Sequence, residues 1–176
     1  MSVSIPKELH FKLHRWLVFA IATYVMYRLD IKDYRIAGSY RRGKRWCNDI
    51  DILVPERYFN PVLDDKLKVL GWRLNPLRNH SLTYSRQYGK SLKKWRKLIM
   101  MDLMPFSNKN TGNTLLYATG PARLNDIIRA RLKTMGYTWR NPRFFEKLDD
   151  GTRVKFISEK DAAEFVGIEY LEPNRR

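Results

Sequence analysis

The hexapeptide Asp49-Ile50-Asp51-Ile52-Leu53-Val54 constrains this chain more than any other segment. Acid and isoleucine alternate and then give way to aliphatic residues, the signature of a strand. A period of two sends Asp49 and Asp51 to one face and Ile50 and Ile52 to the other, into a core. Two carboxylates on one face repel, which raises a pKa unless a cation sits between them. Mg²⁺ suits such a pair, because it is a hard ion that takes one or two carboxylates and completes its shell with substrate phosphates. A D-x-D pair alone is a weak signal, since exposed acid pairs on strands are common.

Two neighbouring features strengthen it. Gly38-Ser39 lies between a predicted strand, Tyr34 to Ala37, and the basic turn Arg41 to Arg45. Such a turn offers an anion backbone N–H groups, a hydroxyl and a helix N-terminus, and Arg42 is placed to add a charge-assisted contact. A third acid, Asp102, sits within Leu98-Ile-Met-Met-Asp-Leu-Met104. A charge in so apolar a strand is costly without a cationic partner. Two readings stand open: a pair with a buried Arg, or a third metal ligand on a neighbouring strand.

Charge points to the partner. The chain carries 34 Lys+Arg against 18 Asp+Glu, a net charge of +16. Residues 1–112 hold +13 of it and residues 113–176 the other +3. That excess argues for a polyanion, or an anionic membrane surface, and against a neutral small-molecule substrate. The run Lys90, Lys93, Lys94, Arg96 and Lys97, with Trp95 interleaved, is the best candidate for phosphate contacts. A single Cys, Cys47, excludes an internal disulfide framework and a multi-cysteine metal site, and implies an intracellular chain. Cys47 reads as a packing residue. His10 and His14 are spaced as a helical zinc pair, but lack the intervening Glu and a third ligand.

The uncharged run Trp16 to Tyr27 is 12 residues long, against the ~20 needed to span a bilayer. No small-residue cleavage pattern follows it. It reads as a buried helix capped by Ser4, with Leu9, Leu13, Trp16, Leu17, Ala20, Ile21, Tyr24 and Val25 on its core face. Further along, Asn60-Pro61 opens a helix with Leu63, Leu67 and Leu70 inward and Gly71 as terminator. Strands are expected over 82–88 and 98–104, and Pro55 should stop the D-x-D strand. Ser107 to Gly112 is polar and marks a subdomain boundary. A helix from Pro121 to Met135 should bury Leu124, Ile127, Ile128, Leu132 and Met135, and another starts at Ser158 and stops at Gly167.

Taken in order, Gly38-Ser-Tyr-Arg-Arg-Gly43, Asn48-Asp-Ile-Asp-Ile-Leu53 and the later strand Asp102 resemble the nucleotidyltransferase palm of X-family (DNA polymerase beta family) enzymes. Ile5-Pro-Lys-Glu8 resembles that family's entry to the palm helix. Tyr117-Ala-Thr-Gly-Pro-Ala-Arg-Leu-Asn125, running on to Arg129, resembles its nucleotide-selecting subdomain. Ser158-Glu-Lys-Asp161 and Tyr170-Leu-Glu-Pro-Asn-Arg175 resemble its closing helix and tail. The layout is similar to the minimal viral members, with too few residues before the palm for a lyase domain and fingers. The resemblance implies an α/β (α+β) fold: a palm with a mixed β-sheet and helices over 1–108, and a small helical and strand subdomain over 109–176.

It further implies template-directed, metal-dependent addition of deoxynucleotides to a primer 3′-hydroxyl, filling short gaps in repair without lyase or proofreading activity. Asp49, Asp51 and Asp102 would be catalytic and hold two Mg²⁺ ions, with Mn²⁺ able to substitute. Gly38, Ser39, Arg42, Asn48, Tyr117, Gly120 and Asn125 would bind the nucleotide; Arg129 and the 90–97 cations would bind DNA. The expected partners are gapped or nicked DNA and a dNTP, for a monomer of the cytoplasm or nucleus, or of a virus, with no membrane.

Three departures from the family pattern accompany this. Tyr117-Ala118 replaces the usual Tyr-Phe, weakening sugar discrimination. Met100 stands where many members have an Arg. Gly120-Pro121 stands where the family tends to have a cis Gly-Ser bond, and proline lowers the cis cost from ~3 to ~1 kcal/mol, so a cis bond is predicted. Two rivals stand beside this reading: a template-independent or non-DNA nucleotidyltransferase, and a non-catalytic DNA-binding protein on the same scaffold.

Overall fold

The computed structural model describes residues 12–75, 82–88 and 97–176. Its centre is a five-stranded mixed sheet in the order β2 (Arg35–Ile36), β4 (Ile50–Pro55), β7 (Lys97–Phe106), β6 (Leu82–Tyr88), β5 (Arg73–Asn75). Strands β4 and β7 run parallel, and every other pairing in this sheet is antiparallel. The register sets Ile50 opposite Met101, Asp51 opposite Asp102, and Ile52 opposite Leu103. Pleating then sorts the strands by face. Ile50, Ile52, Met101 and Leu103 are fully buried against the helix α1 (Arg15–Arg28) and the helix α3 (Pro61–Val69). The opposite face carries the acids.

α3 forms as expected. Asn60 Oδ1 accepts from the Leu63 backbone N–H at 3.2 Å, Pro61 occupies the first turn, and Leu63 and Leu67 are buried. The predicted strands over 82–88 and 98–104 are present as β6 and β7. Pro55 does not stop β4 but ends it from within, as its last residue opposite Phe106.

α1 differs from expectation in start and face. Leu13 and His14 form a short strand, β1, paired antiparallel with β3 (Trp46–Cys47). The helix therefore begins only at Arg15; the expected cap Ser4, and Leu9, lie outside the described residues. Val18, Ala22, Val25, Met26 and Leu29 face the core, whereas Trp16 and Tyr24 are exposed. Apolar residues ring this helix almost completely, so periodicity had little contrast from which to choose a face. Among the described residues, no helix is long and apolar enough to cross a membrane.

The remainder packs around a second core. Helix α4 (Thr111–Thr119) begins inside the polar stretch that the sequence marks as a boundary, and was not anticipated. Helix α5 (Ala122–Thr134) buries Ile128 and Leu132, but Ile127 and Met135 are exposed, so its face is narrower than expected. A small antiparallel sheet, β8 (Tyr137–Thr138), β9 (Phe145–Lys147) and β10 (Arg153–Val154), follows with β9 in the middle. Helix α6 (Glu159–Phe165) is capped by Ser158 Oγ, which accepts from the Asp161 N–H at 3.1 Å. Phe145, Trp139, Leu116, Ala162 and Val166 form this core. A smaller apolar cluster of Ala37, Leu53, Phe106 and Leu115 joins α4 to the acid-bearing face of the sheet.

Candidate active site

The turn after β2 is built around Gly38, which has φ +58° and opens the short helix α2 (Gly38–Arg41). The Ala37 N–H donates to the Asp51 carbonyl at 2.8 Å, tying this turn to β4. A side chain at position 38 would collide with Asp51 Oδ2. Only glycine supplies both the backbone angle and the space.

On the acid-bearing face, Asp51 and Asp102 lie side by side in register, and Asp49 stands immediately before β4. Asp102 is 5% exposed. These three carboxylates line one cavity of about 650 Å³ together with Gly38, Ser39, Arg42 and Asn48. From the other side the same cavity is walled by the end of α4 and the start of α5, through Tyr117, Gly120 and Asn125. All ten residues named for catalysis and nucleotide binding thus meet at one place, although they span 38 to 125 in the chain.

Two polar atoms of the residues lining this cavity are buried and make no hydrogen bond among the described residues: Ser39 Oγ and Asn125 Oδ1. Buried polar groups are almost always satisfied, so both are suited to a ligand that supplies the missing partner. Asn125 is otherwise fixed, its Nδ2 donating to the Tyr117 carbonyl at 2.8 Å. The Gly120-Pro121 bond is cis, as predicted from the proline.

Sequence reasoning missed the network that ties the two walls together. Arg42 donates to the Thr119 carbonyl at the end of α4. Its neighbour Arg41 donates to Thr119 Oγ1 at 2.7 Å and to Glu159 Oε2 at 2.6 Å. Glu159 also accepts from Arg176 at 3.0 Å, and the side chains of both are almost wholly buried. A buried carboxylate between two guanidinium groups holds the Gly38 turn, α4, α6 and the tail as one unit. The consecutive arginines 41 and 42 were the available signal, but their partners lie 77 to 118 residues away.

Other expected residues fall elsewhere. Arg129 is on α5 outside the cavity lining, paired with Asp126 at 2.9 Å and with its guanidinium over the Tyr117 ring at 5.6 Å. It borders a second groove of about 630 Å³ shared with Tyr117, Lys133, Tyr137, Trp139 and Arg140. Lys97 opens β7; Lys90, Lys93, Lys94, Arg96 and His10 lie outside the described residues. His14 sits in β1, so the helical spacing that would pair it with His10 does not apply. Cys47 is buried in the core.

Among the described residues, no three His, Cys, Asp or Glu side chains are gathered closely enough to hold a metal ion by themselves. The donor set nonetheless fits a hard divalent cation that draws part of its shell from a bound phosphate: carboxylate oxygens on one wall, an unsatisfied hydroxyl beside them, and a glycine cradle between.

Comparison with known proteins covers both halves of the chain. A family model described as DNA polymerase beta palm matches residues 5–102, and one described as DNA polymerase beta thumb matches residues 114–176. DNA polymerase lambda of Rattus norvegicus is 28% identical over 163 residues, 79% of this chain. The chain spans only 28% of that relative's length.

Proposed function

We propose that this chain, which belongs to the X family of DNA polymerases, adds deoxynucleotides to a primer 3′-hydroxyl under the direction of a template strand. The observation that carries the reading is the shared cavity, in which the three acids of the central strands face the phosphate turn and the α4–α5 corner. In the reaction the 3′-oxygen attacks the α-phosphorus in line, the bond to the bridging oxygen breaks, and pyrophosphate leaves. Such a transfer needs mainly positioning and neutralisation of charge.

Each residue has a role in this reading. Asp49, Asp51 and Asp102 would hold two Mg²⁺ ions, or Mn²⁺ in their place, which supply an acidified primer hydroxyl and neutralise the leaving pyrophosphate. Ser39 and Arg42 bind the outer phosphates, assisted by the backbone at Gly38 and around Asn48. Tyr117 and Gly120 border the sugar, and Asn125 meets the minor-groove edge of the new pair. Arg129 contacts the template strand, and Lys90, Lys93, Lys94, Arg96 and Lys97 bind backbone phosphates. The palm comprises residues 1–108 and the nucleotide-selecting subdomain residues 109–176, a division supported by the two separate apolar cores. The physiological substrate is a short gap in duplex DNA.

Primer extension on a one-nucleotide-gapped duplex with Mg²⁺ tests this, each dNTP being supplied separately and Asp51→Ala serving as control. Addition that follows the template and is lost in Asp51→Ala is the expected result. Addition indifferent to the template would replace this reading with an end-adding transferase. Absence of addition with salt-sensitive DNA binding retained would leave a non-catalytic scaffold. A parallel series with rNTPs reads the effect of Ala118 on sugar choice.

A further inference from the structure

The ribbon of β1 and β3 has no role in the proposed reaction, yet it carries the chemistry of a recognition surface. Trp16 is 63% exposed and Trp46 55% exposed, large values for a side chain that is highly buried on average. The His14 ring lies between them, edge-on to Trp46 at 5.2 Å and tilted against Trp16 at 6.3 Å. Three rings thus form one patch, His14 and Trp46 from the hydrogen-bonded ribbon and Trp16 from the first turn of α1. The segments that form it, residues 12–16 and 44–47, contain four cations and no acid. Lys12, Arg15, Lys44 and Arg45 are all exposed.

The patch continues along α1, where Phe19 and Tyr27 are also exposed on the side turned away from the core. From Trp16 to Tyr27 the helix rises about 16 Å. No acidic residue interrupts this stretch. Charge selects among occupants. A second copy of the chain would bring like charge, and an uncharged protein partner would leave the four cations unused. Duplex DNA would satisfy the cations but hides its base faces in the stack. Unpaired nucleic acid uses both, presenting phosphates to the lysines and arginines and base faces to the rings.

We propose that the Trp46–His14–Trp16 patch, on the β1–β3 ribbon and the first turn of α1, is a binding platform for single-stranded DNA, separate from the reaction cavity. It lies beside that cavity: Asn48 and Asp49 follow β3 directly, and the Arg15 guanidinium stacks over the ring of Tyr40, next to Ser39, at 4.9 Å. An unpaired strand emerging near the site would be gathered there.

Fluorescence anisotropy with labelled dT12 and with a 12-base-pair duplex tests this on the whole chain. The double variant Trp16→Ala/Trp46→Ala should bind dT12 about ten-fold to a hundred-fold more weakly, from base–aromatic stacking, while duplex binding changes less than two-fold. Trp16→Phe/Trp46→Phe should restore most of the dT12 affinity. Unchanged dT12 binding in the alanine variant would overturn the proposal. So would a parallel fall for both DNAs, or concentration-dependent self-association abolished by the same variant, which would assign the face to a second copy. Binding is read without catalysis, so failure here is distinct from failure of the polymerase reading, which gap filling tests.

Discussion

Replacing Gly38 by Ala separates the cost of a backbone angle from the cost of a displaced carboxylate. At φ +58° a non-glycine residue costs roughly 1–2 kcal/mol. For a chain of this size, that lowers Tm by about 2–8 °C. The new methyl group would also meet Asp51 Oδ2, the side chain aligned with Asp102 across the central strands. The carboxylate must swing aside, because the backbone of α2 is tied to β4 by the Ala37–Asp51 hydrogen bond. Misplacing a reacting group by about 1 Å costs on the order of 100-fold in rate. Gly136 supplies the control: its φ is +78°, and a Cβ there meets nothing within 4 Å. Gly136→Ala should lose similar stability and keep single-nucleotide gap filling, whereas Gly38→Ala should lose both. Thermal unfolding and single-turnover incorporation measure the two effects. Equal activity in the two variants would refute the claim that position 38 acts through Asp51.

Ser39→Ala removes a hydroxyl that makes no hydrogen bond among the described residues. Stability should stay within about 0.5 kcal/mol, while KM for the nucleotide should rise at least ten-fold, from loss of a charge-assisted bond worth about 1.5–3 kcal/mol; a clear drop in stability with KM unchanged would contradict the phosphate role. Glu159→Gln leaves Arg41 and Arg176 without their shared carboxylate. Urea denaturation should show a loss of about 3–5 kcal/mol, and a loss below about 1 kcal/mol would mean that this network does not hold the walls. Burial, and then the nearby Asp64 charge, push the Tyr84 hydroxyl up to about 12. The unfolded chain therefore releases this proton first, near pH 10, so the contribution is intact below pH 10 and is lost as pH rises toward 12, by up to about 2–3 kcal/mol. The pH dependence of stability, compared with that of Tyr84→Phe, should show this difference over pH 10–12, and parallel curves would rule it out.

The placement of the acids was legible where the pattern obeyed a short period. Alternation in residues 49–54 placed the acids and isoleucines on opposite faces, and the register with β7 carried Asp102 to Asp51. Caps at Asn60 and Ser158 were equally visible, since their partners lie within one turn. α1 was not, because a helix apolar on every side gives no direction and its true start depends on a two-residue ribbon with β3. α4 hid behind a polar beginning: Thr111, Asn113 and Thr114 are buried there, with Thr114 Oγ1 and Asn113 Oδ1 satisfied by local and distant backbone groups. The Arg41–Glu159–Arg176 network was invisible because Arg41 and Glu159 stand 118 positions apart, and nothing in a linear pattern links them.

The parallel pairing of β4 with β7 sets when the acid-lined cavity can form as well as where it lies. Asp51 and Asp102 cannot meet until a loop of some fifty residues has been closed, and contacts of such range form slowly because loop closure precedes any reward. The far wall, from Tyr117 to Asn125, must then dock on the phosphate turn. A nascent chain that has emerged only as far as the D-x-D strand therefore holds two of the three acids and no pocket. The cavity that gathers the acids is complete only after the central sheet and the α4–α5 corner have closed on each other.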